Sequence, residues 1–134
     1  MVKRTISLFC VAGALCAAGT ASAHHALSMF ERAKTVTVTG VVKEFEWGSP
    51  HVWIEIVANS ADGMVENWTI EGSAPTVLVR SGWRPSVLKP GDRISLGVHP
   101  RKDGMAGGYL ADAEALTVNG RVLISGFQPV AGSE

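Results

Sequence analysis

Cysteine is scarce in this chain, and the two it has are badly placed to staple a domain. Cys10 and Cys16 both fall within or beside the apolar stretch Ile6 to Ala18, behind the basic start Lys3-Arg4. That stretch runs into Ala21-Ser22-Ala23, a small-x-small cleavage pattern, so residues 1–23 read as a secretory signal peptide. Cleavage after Ala23 removes both cysteines, which excludes a disulfide framework, a thiolate nucleophile and a cysteine-held metal from the mature chain. The apolar run is too short to cross a bilayer and no second one follows. Neither cysteine has small residues before it (Phe9 and Leu15 stand there), so no lipid anchor is expected. A periplasmic or secreted location is expected instead.

An excess of one charge is lacking too. Twelve basic residues balance twelve acidic ones, and loss of Lys3 and Arg4 with the signal leaves a net charge of −2. Without a Lys/Arg run, the chain has no electrostatic footprint for nucleic acid. Catalytic signatures are missing: there is no nucleophile elbow, no H-E-x-x-H and no P-loop. Helical patterning is nearly absent as well. The one candidate begins at Ser73 as a cap, has Pro75 in its first turn and stops at Gly82.

What is present is β patterning. Thr35 to Thr39 alternates β-branched residues and the run continues to Trp47, with Gly40 marking a bend or bulge. Pro50 cannot donate to a ladder and belongs at a strand junction. His51 to Ala58 then alternates, with Val52, Ile54 and Ile56 on one face and His51, Trp53 and Glu55 on the other. Asp62-Gly63 turns into a third strand, Val65 to Gly72, with Trp68 and Ile70 opposite Asn67, Thr69 and Glu71. After the helix, Pro90-Gly91-Asp92 leads into Ile94-Leu96-Val98 and on to His99-Pro100. Arg101 to Gly108 reads as a loop and Tyr109 to Val118 as strand five. Asn119-Gly120 then makes a hairpin to Arg121–Ile124. The order β-β-β-α-β-β is that of a small five-stranded OB-like barrel, here with a C-terminal β-hairpin extension. The expected division is signal peptide 1–23, an N-terminal lead-in 24–33, a mainly β barrel domain 34–127 and a tail 128–134.

Several motifs together carry a family resemblance. They are His24-His25 behind the signal, G-V-V-K-E-F-E-W at Gly40 to Trp47, P-H-V-W-I at Pro50 to Ile54 and W-T-I-E at Trp68 to Glu71. Gly82-Trp83, L-K-P-G-D at Leu88 to Asp92, H-P-R-K-D-G at His99 to Gly104 and the pair Gly107-Gly108 complete the set. They resemble a family of small secreted bacterial proteins catalogued as domain of unknown function 6152. Ser49 departs from the Asn usual before Pro-His and keeps the ability to hydrogen-bond in a turn. The resemblance implies export and a shared small β domain, and brings no activity with it.

Two constellations can carry chemistry. A mature N-terminus at His24 offers its α-amine and imidazole to one metal, and His25 adds a second imidazole. Such an all-nitrogen set favours copper. His51 is the third candidate metal ligand if the N-terminal segment folds back over its corner. His99 is read as a strand-end residue, with strand length placing it roughly 20 Å from His51. The second constellation is the polar face of strands two and three, the usual ligand face of an OB barrel. Trp47 and Trp53 offer rings for stacking on a sugar or other flat group, and Glu55 and Glu71 offer carboxylates. Glu71 has an alternative structural use in pairing with Arg80 or Arg84. The expectation is a non-enzymatic binding domain for a small ligand or metal ion, without nucleic acid or a membrane span. The alternative is an assembly module that self-associates through β-edges in the C-terminal hairpin.

Overall fold

A computed structural model of the protein describes residues 27–60, 62–111 and 115–124. The signal segment, His24, His25 and the 128–134 tail lie outside the described residues. Among the described residues no helix is long and apolar enough to cross a membrane.

β1 (Val36–Glu46) carries the barrel because both of its edges are used. One edge pairs with β2 (Trp53–Asn59), from Gly40↔Ala58 to Glu46↔Trp53. The other pairs with β4 (Arg93–Pro100), from Val36↔Val98 to Val41↔Arg93. β3 (Val65–Glu71) lies antiparallel to β2, and β5 (Gly107–Leu110) lies parallel to β3 and antiparallel to β4. The sheet therefore closes in the order β1-β2-β3-β5-β4 and back to β1, which is the expected OB-like barrel. Gly40 sits where β1 serves both neighbours. A Cβ there would lie 2.5 Å from the Val57 carbonyl oxygen, so the close crossing requires glycine. The register shift itself comes later, between Val42 and Glu44.

Alternation fills the inside. Val42, Ile54, Ile56, Ile70, Ile94 and Val98 point into the barrel and are at most 2% exposed. Leu78, Trp83 and Leu88 close one end of the same core. Leu78 comes from α1 (Pro75–Leu78), a single turn that runs on as a 3-10 turn, Val79–Ser81, before Gly82 stops it at φ 94. Ser73 is not its cap. Ala74 holds the N-cap position without a side-chain hydrogen bond, and the Ser73 hydroxyl instead meets the Tyr109 hydroxyl at 2.9 Å.

Three expectations for the later strands are corrected. Gly107 and Gly108, read as loop, open β5. β2 starts at Trp53, two residues after His51, although Val52 still exchanges backbone hydrogen bonds with Gly72 and Ser73. Strand five, read as unbroken, is two strands, β5 and β6 (Leu116–Val118). Val98 pairs with Val36 and Leu110, while Ile94 pairs with Gly40 and Val118. β5 and β6 therefore share the β4 edge opposite β1. The two registers differ by four residues. β6 then pairs with β7 (Arg121–Ile124) across Asn119-Gly120, both at positive φ (50 and 80) as a two-residue primed turn requires.

Candidate functional site

The barrel's closure puts four outward-facing residues in one row. Trp53 on β2 is opposite Glu71 on β3, Glu71 is opposite Tyr109 on β5, and Tyr109 is opposite His99 on β4. The segment before β1 covers part of this row. Phe30 bridges to Arg101, Glu31 donates to the Pro100 carbonyl at 2.9 Å, and the Phe30 ring packs on Tyr109 at 5.7 Å. Beside that cover lies a cleft of about 280 Å³, lined by Trp53, Thr69 and Glu71 of the sheet and by Met29, Arg101 and Met105 among its walls.

Glu71 is the unusual member. It sits on an outward strand face yet is only 8% exposed. Burying a carboxylate costs free energy unless it is paired, and its partner is His51, whose Nδ1 meets Glu71 Oε1 in an ion pair when the ring is protonated. The partner is thus this histidine and not Arg80 or Arg84, the alternative weighed from the sequence. Arg84 is occupied by the carbonyls of Val79 and Trp83 instead, at 3.0 and 2.6 Å. Trp53 stands beside Glu71 with 37% of its surface open.

The remaining candidates are dispersed. Glu55 is the next outward residue along β2 and is tied to Lys43 at 3.1 Å. Trp47 lies against Phe45 at 5.9 Å and packs on the core, and it is not part of the cleft lining. Its ring is therefore placed for packing rather than for stacking beside Trp53. His99 Nδ1 is 2.9 Å from the Lys34 carbonyl oxygen. Barrel stagger puts the end of β4 in the same row as the start of β2. Glu71, the partner of His51, lies two strand spacings from His99, or ~10 Å. Among the described residues no three His, Cys, Asp or Glu side chains are grouped to hold one metal ion. His24 and His25, the other two expected metal ligands, lie outside the described residues.

Sequence reasoning missed Met29, Met105 and Tyr109. The loop carrying Met105 is shaped by Asp103. Arg101 Nε donates to its carboxylate at 3.0 Å and the Met105 amide donates at 3.1 Å. The Arg101 hydrogen bond, helped by the Met105 amide, holds the Asp103 carboxyl at about 2, below the usual range. Gly107 and Gly108 let β5 slide between β3 and β4 at this point. A Cβ on Gly107 would lie 2.9 Å from the Thr69 carbonyl oxygen, and one on Gly108 2.4 Å from that of His99. The glycine pair was the one available signal of a close approach.

No curated protein sequence matches the chain. Among solved structures, the mitochondrial single-stranded DNA binding protein Rim1 from S. cerevisiae is similar to it. The identity is 12%, the TM-score is 0.45, and the match covers 69% of this chain and 96% of that one. The profile of a family of unknown function, DUF6152, matches residues 13–111, from ahead of the barrel to the end of β5, and the chain belongs to that family.

Proposed function

We propose that the protein is an exported, non-enzymatic binding module that takes a small ligand or metal ion on the outward face of β2, β3 and β5. The observation that carries this reading is the nearly buried Glu71 carboxylate beside a half-open indole in one cleft. A carboxylate held by one histidine keeps acceptor capacity for a ligand. An exposed tryptophan face supplies stacking area at little entropic cost. Apolar walls with a few converging polar groups are the usual make-up of a small-molecule site.

The test is calorimetry and thermal shift on the exported protein with a panel of disaccharides, heteroaromatic fragments and metal salts. Binding by any member that is lost in Trp53→Ala and weakened in Glu71→Gln supports the reading. Binding that survives both substitutions removes it. Export rests on the sequence, and intact mass of the secreted product checks it, with a chain beginning at His24 expected. The copper reading of His24 and His25 also rests on the sequence alone. Electron paramagnetic resonance of the Cu(II)-loaded protein should show nitrogen ligation that loses one imidazole in His24→Ala and the second in the His24→Ala/His25→Ala double variant, and an unchanged spectrum would contradict it.

Self-association is the second reading, favoured by β7. Among the described residues β7 pairs only with β6, and Val122 and Leu123 are 62% and 52% exposed. Sedimentation should then show oligomers that Leu123→Lys disperses. A monomer at all concentrations would count against it.

A further inference from the structure

Met29, Met64 and Met105 are the methionines beyond the signal segment, and none is in the core. They are 45%, 64% and 64% exposed, while the barrel interior is filled by Ile, Val and Leu. Methionine is ordinarily a buried gap-filler. Two of the three, from distant parts of the sequence, line the cleft that holds Trp53 and Glu71.

Their placement is structural. The Met29 carbonyl accepts the Lys102 amide at 2.9 Å, and the Phe30–Arg101 bridge follows. The segment carrying Met29 is thereby fastened to the loop carrying Met105. Within that loop, Asp103 takes the Met105 amide and the Arg101 guanidinium. Both methionines thus line one opening on segments held by hydrogen bonds, backbone to backbone at Met29 and through the Asp103 carboxylate at Met105.

We infer that this cleft is a site for a soft monovalent metal ion, Cu(I) or its analogue Ag(I), held by the Met29 and Met105 thioethers beside the Trp53 indole. The inference rests on the cleft being the binding surface and names the class of its ligand. A thioether is a neutral, soft donor that selects Cu(I) over harder divalent ions. The indole face attracts a cation electrostatically. The Glu71 carboxylate, in the same cleft, balances the positive charge. An apolar organic ligand would be served as well by leucine at positions 29 and 105, whereas a soft cation needs sulfur.

The test uses the full-length exported protein, with Ag(I) as a redox-inert probe and Cu(I) competed against a chromophoric chelator. One equivalent of Ag(I) should shift the methyl resonances of Met29 and Met105, leave Met64 unmoved and quench tryptophan fluorescence. Leucine conserves the volume of methionine, so Met29→Leu and Met105→Leu should fold normally. Each should lose at least the ~10–100-fold in affinity that removing even an outer supporting partner costs. Met64→Leu should bind as the wild type does. Ag(I) that moves histidine resonances and leaves both methionine methyls in place overturns the assignment, as does unchanged affinity in the two leucine variants. Disaccharides or heteroaromatic fragments that bind at Trp53 without Ag(I) uptake also overturn it, and leave the cleft itself standing. Loss of every kind of binding at Trp53 overturns both.

Discussion

Replacing Gly108 by alanine should be among the most damaging single-methyl changes in this protein. The added Cβ would lie 2.3 Å from Val98 Cγ1 and 2.4 Å from the His99 carbonyl oxygen. Val98 is fully buried, and β4 pairs with both β1 and β5 at Val98. Relief therefore means opening the barrel seam between β4 and β5, because no flexible side-chain end can yield. Overpacking a dense core costs about 1–3 kcal/mol, and a clash with backbone belongs at the top of that range, about 3 kcal/mol. For a domain of this size that corresponds to a loss of roughly 10–25 °C in Tm. Gly104→Ala is the control. Nothing lies within 4 Å of a Cβ there, but φ is 76, so only backbone strain of about 1 kcal/mol applies. Urea unfolding followed by tryptophan fluorescence should show the larger loss for Gly108→Ala with an unchanged m-value. A Gly108→Ala protein within ~0.5 kcal/mol of wild type, or no weaker than Gly104→Ala, would refute the reasoning.

Other perturbations follow from the same contacts. Ile54→Ala removes a fully buried side chain from the barrel interior and should cost about 2–5 kcal/mol in the same assay. Asp92→Ala removes the acceptor for the Lys89 amide (2.8 Å) and the Asn119 side chain (2.9 Å). It should cost about 1–3 kcal/mol and speed hydrogen exchange at the β6–β7 turn, with unchanged exchange there counting against it. The Asp103 carboxyl is lowered from 3.8 to about 2 in the folded protein. Its support of the Arg101–Met105 loop is thus complete above pH ~3.8 and lost as pH falls through about 2. The Met105 amide resonance should titrate in that window, and a Met105 amide that does not respond would contradict the loop geometry.

Period-two alternation with turn residues made most of the barrel legible in the sequence. It separates Ile54 and Ile56 from Trp53 and Glu55 without any knowledge of partners. Asn119-Gly120 and Gly82 act through their own backbone preferences and were equally plain. What was hidden depends on pairing. That β5 runs parallel to β3, and that β5 and β6 share one edge of β4, are long-range facts with no local signature. Tyr109 therefore could not be placed beside Glu71, nor His99 in the row of Trp53. The burial of Glu71 was hidden for the same reason, since alternation alone assigns it to solvent. Trp47 and Trp53 look alike in sequence, but the register shift in β1 and the Phe45 contact send Trp47 to the core.

Tryptophan indole N–H resonances test the central claim most directly, because the four rings are internal controls for one another. Trp53 lines the cleft, Trp83 is buried, and Trp47 and Trp68 pack against the core. The exported protein would be titrated with the disaccharide, heteroaromatic and Ag(I) probes while all four signals are followed. If β2, β3 and β5 form the binding face, a binding probe moves the Trp53 signal and leaves Trp83 in place. Saturable binding that shifts Trp47 or Trp68 while Trp53 stays still would contradict the account.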